Sequence, residues 1–141
     1  MSTRWHRRAR LALVPVLVAL AACTARAGAD PAVRTQHVTI HWSRFQPAGY
    51  VFPAGTTVRF VIHNTDPIGH EFILGSRAVQ LYIENTAHPA HDGSVPGQIS
   101  VPPGATVVTT YTFGRPGTVL LGCHVAGHYA YGMRGSVRVT S

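Results

Sequence analysis

A chain of 141 residues suits one domain with one core, and no internal repeat or second composition block divides it. Only 12% of its residues are charged, while Gly, Pro, Val and Thr abound, a balance that favours short strands and tight turns over helices. The formal charge of +7 is no nucleic-acid signature: Arg4, Arg7, Arg8 and Arg10 precede the first apolar run, and from Cys23 onward eight scattered arginines face five acidic residues, a net of +3 with no basic run interleaved with aromatics.

Residues 1–10 form a basic segment and Leu11 to Ala22 an apolar run too short to span a membrane but of signal-peptide length. The chain therefore divides into a signal peptide over 1–22, a linker over 23–34 and one domain over 35–141. Leu20-Ala21-Ala22-Cys23 resembles a bacterial lipobox, which makes Cys23 the expected lipidation site and mature N-terminus. Ala25-Arg26-Ala27 offers a rival cleavage site of the ordinary kind. Exported proteins keep disulfides, but pairing Cys23 with Cys123 would spend a thiolate needed elsewhere, so none is expected.

Gln36 to Trp42 alternates with the period of a half-buried strand, placing Val38, Ile40 and Trp42 toward the core. A Pro-Ala-Gly turn at 53–55 leads into a second such strand, Thr57 to His63, with Val58, Phe60 and Ile62 inward. Asn64, Thr65, Asp66 and Pro67 carry turn chemistry. His70 to Leu74 opens another apolar run. Residues 75–97 lack clean periodicity and read as an extended excursion between strands. Order returns with Gln98 to Val101, a Pro-Pro-Gly turn, Thr106 to Phe113, a turn at Arg115-Pro116-Gly117, then Thr118 to Gly122 and a closing strand from Gly135 to Thr140 with Val137 and Val139 inward. Short strands at this spacing predict an all-β sandwich.

The chemistry concentrates in Gly122 to Gly135, where Cys123, His128 and Met133 follow the pattern Cys-x4-His-x4-Met. A thiolate, an imidazole and a thioether on one loop prefer copper to hard cations. One more nitrogen would complete a His2Cys plane with a weak axial Met, and His70 is the best candidate. His63 is its rival, but it falls on the outward face of its strand.

This loop, the upstream Gly69-His70-Glu71-Phe72 segment, the Pro-Gly turns and the closing Gly-Ser-Val-Arg-Val strand together resemble the cupredoxin family of blue copper proteins, plastocyanin-like and azurin-like. The loop is similar to those of rusticyanin, auracyanin and the last domain of multicopper oxidases. The resemblance covers nearly all of the mature chain. It implies a Greek-key β-sandwich holding one type 1 copper, with ring nitrogens from His70 and His128, the thiolate of Cys123 and the axial sulfur of Met133.

Two departures qualify it. Multicopper oxidases flank this Cys with histidines that bind a trinuclear cluster, whereas here Gly122 takes the preceding position, the chain has no His-x-His pair, and His124 is expected to point away from Cys123. Glu71 stands where many small blue copper proteins tie the ligand loops together through Asn or Ser. Elsewhere, His88-x2-His91-Asp92 has turn spacing compatible with a second metal, although a solvated polar loop is the simpler reading.

The sequence thus predicts an exported, lipid-anchored mononuclear copper protein of the bacterial envelope, not an enzyme, that carries single electrons as a monomer. Its partner would be a redox protein docking transiently near His128, on a rim of Val125, Ala126, Tyr129 and Tyr131. The alternative is a copper-binding protein for copper capture, delivery or resistance.

Overall fold

The computed structural model describes residues 33–141; the expected signal peptide over 1–22 and the lipidation site Cys23 lie outside them. The strands are β1 (Arg34–Ile40), β2 (Phe45–Gln46), β3 (Gly49–Pro53), β4 (Thr56–Asn64), β5 (His70–Gly75), β6 (Gln98–Val101), β7 (Thr106–Phe113), β8 (Gly117–Gly122) and β9 (Arg134–Thr140), and one helix, α1 (Arg77–Asn85), interrupts them between β5 and β6. They form a four-stranded sheet in the order β2-β1-β4-β7 and a five-stranded sheet in the order β3-β9-β8-β5-β6. The all-β sandwich is as expected. Strand β1 runs parallel to β4, and β3 parallel to β9; the other pairs are antiparallel.

Alternation builds the core. Val38 and Ile40 of β1, Val58, Phe60 and Ile62 of β4, Phe113 of β7, and Val137 and Val139 of β9 are buried and belong to one hydrophobic cluster. Phe60 sits at its centre, against Tyr50, Phe52, Phe72 and Phe113. Full burial of such a side chain stabilises the fold by roughly 1.5–3 kcal/mol. Strand β5 differs, since all six of its residues are buried. It lies between β8 and β6, and α1 packs against it and β8.

Two expectations fail. Trp42 is 79% exposed and lies beyond the end of β1. The pairing with β4 stops at Ile40–Asn64, and the chain then turns through positive φ at Trp42 and Ser43, with the Asp66 carboxylate accepting both N–H groups at 2.8 Å. Residues 77–85 of the predicted excursion are helical. Ser76 caps the helix by accepting the N–H of Val79. Its inward face carries Gln80 and Ile83, whereas Leu81 and Tyr82 are exposed, so the apolar residues do not trace the buried stripe.

Candidate metal centre

His70 opens β5, Cys123 follows the last residue of β8, and His128 and Met133 lie on the loop that leads to β9. The loop is closed by its own backbone. Cys123 N–H donates to Met133 O (3.1 Å), Met133 N–H to His128 O (2.9 Å) and His128 N–H to Val125 O (2.9 Å). Gly127 and Gly132, each preceding a candidate ligand, have φ of +83° and +96°, where a side chain is strained. The sequence therefore fixes this turn through its glycines as well as its donors.

The three expected plane donors converge. His70 Nδ1 lies 3.3 Å from His128 Nδ1, and Cys123 Sγ lies 3.5 Å from His128 Nδ1 and 4.0 Å from His70 Nδ1. A trigonal metal bonded at about 2.0–2.1 Å to nitrogen and about 2.3 Å to sulfur separates the nitrogens by about 3.6 Å and each from sulfur by about 3.8 Å. The observed triangle matches to a few tenths of an ångström. His70, Cys123 and Met133 are buried and His128 is half-buried. Met133 occupies the apolar cluster beside Cys123. The rival His63 is exposed, its Nδ1 paired with the Thr106 hydroxyl.

The surroundings prepare these donors for a soft cation. His70 Nε2–H donates to Asp66 Oδ2 at 3.0 Å, which leaves the lone pair on Nδ1, the atom facing His128 and Cys123. Burial, reinforced by His128, lowers the His70 pKa in spite of Asp66, so the ring is neutral at pH 7. Burial pushes the Cys123 thiol up to about 11. The backbone N–H of Glu71 donates to its sulfur at 3.3 Å. Asp66 is the residue sequence reasoning missed: Asp at a turn reads as local turn chemistry, and its i,i+4 relation to His70 crosses a strand boundary.

Glu71 does tie the ligand segments together, by a carboxylate. Its Oε2 accepts the N–H of His124 at 3.2 Å, joining β5 to the loop that follows Cys123. His124 is turned away from the donor triangle as expected, buried with Nδ1 on Glu84 Oε2 at 2.6 Å and Nε2 on Gln80 Oε1 at 2.7 Å, both from α1. A Cβ at Gly122 would meet Gln80 Oε1 at 2.6 Å and Tyr129 ring carbons at 2.7 Å. No histidine fits before the Cys in this packing. Of the expected rim, Tyr131 is 80% exposed and Ala126 is exposed, but Val125 is only half-exposed and Tyr129 stacks on the His124 ring.

Residues 27–141 match the family model described as multicopper oxidase, the β-sandwich carries the triangle at one end of its strands, and auracyanin B superposes on the chain with a TM-score of 0.62 at 27% identity, over 80% of this chain and 92% of that one. The chain is a cupredoxin of the multicopper-oxidase domain family. A curated relative, the copper-resistant cuproprotein CopI of Rubrivivax gelatinosus, is 37% identical over 98 residues, 68% of this chain; the aligned part is 59% of that relative's length. CopI of Pseudomonas aeruginosa is 27% identical over 80% of each chain. This cupredoxin binds copper. No described helix is long and apolar enough to cross a membrane.

The His88-x2-His91-Asp92 segment, read from sequence as a solvated polar loop with spacing compatible with a metal, is arranged differently from that spacing. His88 and His91 come together, ring centroids 4.9 Å apart, but Asp92 does not join them. Its Oδ1 accepts the N–H of Ser94. Glu71 faces the two imidazoles instead.

Proposed function

We propose that this cupredoxin is an exported, monomeric carrier of single electrons with one type 1 copper held by His70, Cys123, His128 and Met133. The observation that carries this reading is the donor triangle of 3.3, 3.5 and 4.0 Å, preformed on a backbone pinned by β5, β8 and the closed loop. Copper supplies the one-electron couple. The chain holds the donors nearly in place for both oxidation states and keeps water from the buried thiolate. The half-buried His128 is the route by which electrons leave, and exposed Ala126 and Tyr131 beside it offer a small apolar surface for a redox partner to dock on transiently.

The chain makes and breaks no substrate bonds in this reading. The oxidase-type cluster needs histidines flanking the Cys, and the packing of Gly122 and the engagement of His124 with α1 leave none available. A lipid on Cys23 would anchor the protein to the bacterial envelope, and mass spectrometry of the native N-terminus tests it; an unmodified terminus at Gly28 refutes the anchor.

A second reading, copper capture or delivery in copper resistance, draws on the name and the 37% identity of the CopI relative. The two separate in one experiment. A carrier of electrons gives an intense thiolate-to-copper absorption band, lost in Cys123→Ser, and keeps its copper through repeated redox cycles beside a modest chelator. A delivery protein surrenders the copper to that chelator. Absence of the band, or its survival in Cys123→Ser, refutes the type 1 site itself.

A further inference from the structure

Glu71 follows His70 directly, and its carboxylate serves two neighbours at once. While Oε2 holds the His124 N–H, Oε1 lies 3.8 Å from His88 Nδ1 and 3.9 Å from His91 Nε2, too far for hydrogen bonds. His91 Nε2 is fully buried and has no hydrogen-bond partner, a rare state for a polar atom. The Glu71 side chain is 9% exposed, and among the described residues no arginine pairs with it. The Oε1 of a nearly buried carboxylate thus faces a buried, orphaned imidazole nitrogen without bonding it, and one cation between the two would satisfy both.

We propose that Glu71, His88 and His91 form a second, mononuclear site for a divalent transition-metal ion, with Cu(II) bound more tightly than Zn(II). Two imidazoles and one carboxylate suit both ions, and the general affinity order of such donor sets places Cu(II) first. Donors about 2.0–2.1 Å from a metal lie about 3.4–3.6 Å apart at tetrahedral to trigonal angles, so the two carboxylate–imidazole separations need close by only a few tenths of an ångström, and all three donor atoms already lie within 4.8 Å of one another.

The site is built into the sheet. Across the β5·β6 pair Glu71 is the register partner of Ser100, and Ser100 in turn clamps His91: its N–H donates to His91 O and its hydroxyl accepts the His91 N–H, both at 2.9 Å. Glu71 and His91 are therefore held at a fixed spacing by one residue of β6. His88 is the adjustable member. Its Nδ1 lies 3.2 Å from Pro89 O, a local contact given up when the proton moves to Nε2 and Nδ1 turns to the metal. His88 and His91 also line a groove open to solvent beneath α1, with Val79 and Tyr82, through which an ion can enter.

The test uses the full-length protein with its first site already filled by one equivalent of copper, titrated with Cu(II) and, separately, Zn(II). One further equivalent should bind and survive desalting, and for Cu(II) it should add an electron paramagnetic resonance signal of nitrogen and oxygen coordination, without thiolate, while the thiolate band of the first site stays. His88→Gln/His91→Gln should weaken this equivalent at least tenfold and leave the thiolate band unchanged, and Asp92→Asn should leave both unchanged. Should the double variant lose the thiolate band, His88→Gln alone decides, with the same tenfold weakening expected. The proposal is overturned if no second equivalent binds, if it persists undiminished in these variants, or if replacing the exposed His37 and His63 and the half-buried His41 removes it. Failure of the first site shows separately, as loss of the thiolate band.

Discussion

Asp66 Oδ2 holds His70 Nε2 at 3.0 Å, on the edge of the ring opposite the nitrogen that faces His128. The same carboxylate caps the N–H groups of Trp42 and Ser43, and the backbone N–H of Asp66 donates to Asn64 Oδ1. Asn64 in turn donates to the carbonyls of Ile68, Val101 and Pro102. A candidate metal ligand on one sheet is thus braced by a polar network rooted at the end of β4 on the other.

Asp66→Asn should weaken copper binding by about 10–100-fold, the usual effect of losing a carboxylate behind a ligating imidazole, read by competition with a chelator. It also places an amide N–H₂ against a backbone donor, costing about 1–3 kcal/mol. Burial alone would raise the Asp66 pKa, but the N–H groups of Ser43 and Trp42 and the His70 ring together hold it below the ordinary carboxylate value. The native state therefore binds this proton less readily than the unfolded chain. Its contribution is complete above about pH 4 and is lost as pH falls through the lowered value. The metal-free wild type should lose denaturant resistance on acidification below about pH 4 more steeply than Asp66→Asn, and equal slopes would remove Asp66 from this role.

Copper uptake should release a proton from Cys123. With the thiol pushed up to about 11 by burial, the metal-free protein at pH 7 carries almost no thiolate, whereas a ligating sulfur must be deprotonated. Calorimetric titration of metal-free protein in buffers of different ionisation enthalpy should count about one proton released per copper between pH 7 and 8. The Cys123→Ser variant should lose that proton. A count near zero in the wild type would mean that the thiol is already ionised without metal.

The donors were legible because their chemistry needs particular side chains at particular spacing, and no core or turn requirement places Cys, His and Met at even intervals after a strand. The alternating strands β1, β4, β7 and β9 were legible for a similar reason, since one face of each meets the core and the other meets water. What escaped was decided by tertiary partners. Helix α1 turns Gln80 inward because two backbone carbonyls and His124 await it, so its pattern reads as irregular. Strand β2 is only two residues long, too short to show a period, and β3 is short and pairs with β9, far along the chain. Asp92 looked like the carboxylate nearest His88 and His91, but the sheet register brings up Glu71, 17 residues before His88.

Gly122 is constrained by packing, which makes its replacement informative. A methyl group there meets Gln80 Oε1 at 2.6 Å and the Tyr129 ring at 2.7 Å. Tyr129 is itself stacked on His124, so it cannot retreat freely. Gly122→Ala should destabilise the protein by about 1–3 kcal/mol, the usual cost of overpacking, measured by denaturant unfolding of the metal-free form. Gly122→His should give little soluble protein. A stable Gly122→His variant with new copper sites would reopen the oxidase reading.

Gln80 is the residue through which α1 grips the sheet. Its Nε2 donates to Ile73 O of β5 (3.0 Å) and Leu120 O of β8 (3.2 Å), while its Oε1 meets His124 Nε2 at 2.7 Å. Gln80→Leu keeps most of the side-chain volume but leaves the buried His124 nitrogen without its partner and removes a donor from each carbonyl, at about 1–3 kcal/mol for a buried group left unsatisfied. His124 keeps Glu84 on its other nitrogen and Glu71 on its backbone, so the ligand loop should hold its register. The expected result is a protein destabilised by about 2–4 kcal/mol in unfolding whose thiolate band is unchanged in position. A shifted band would show instead that α1 positions Cys123 through His124.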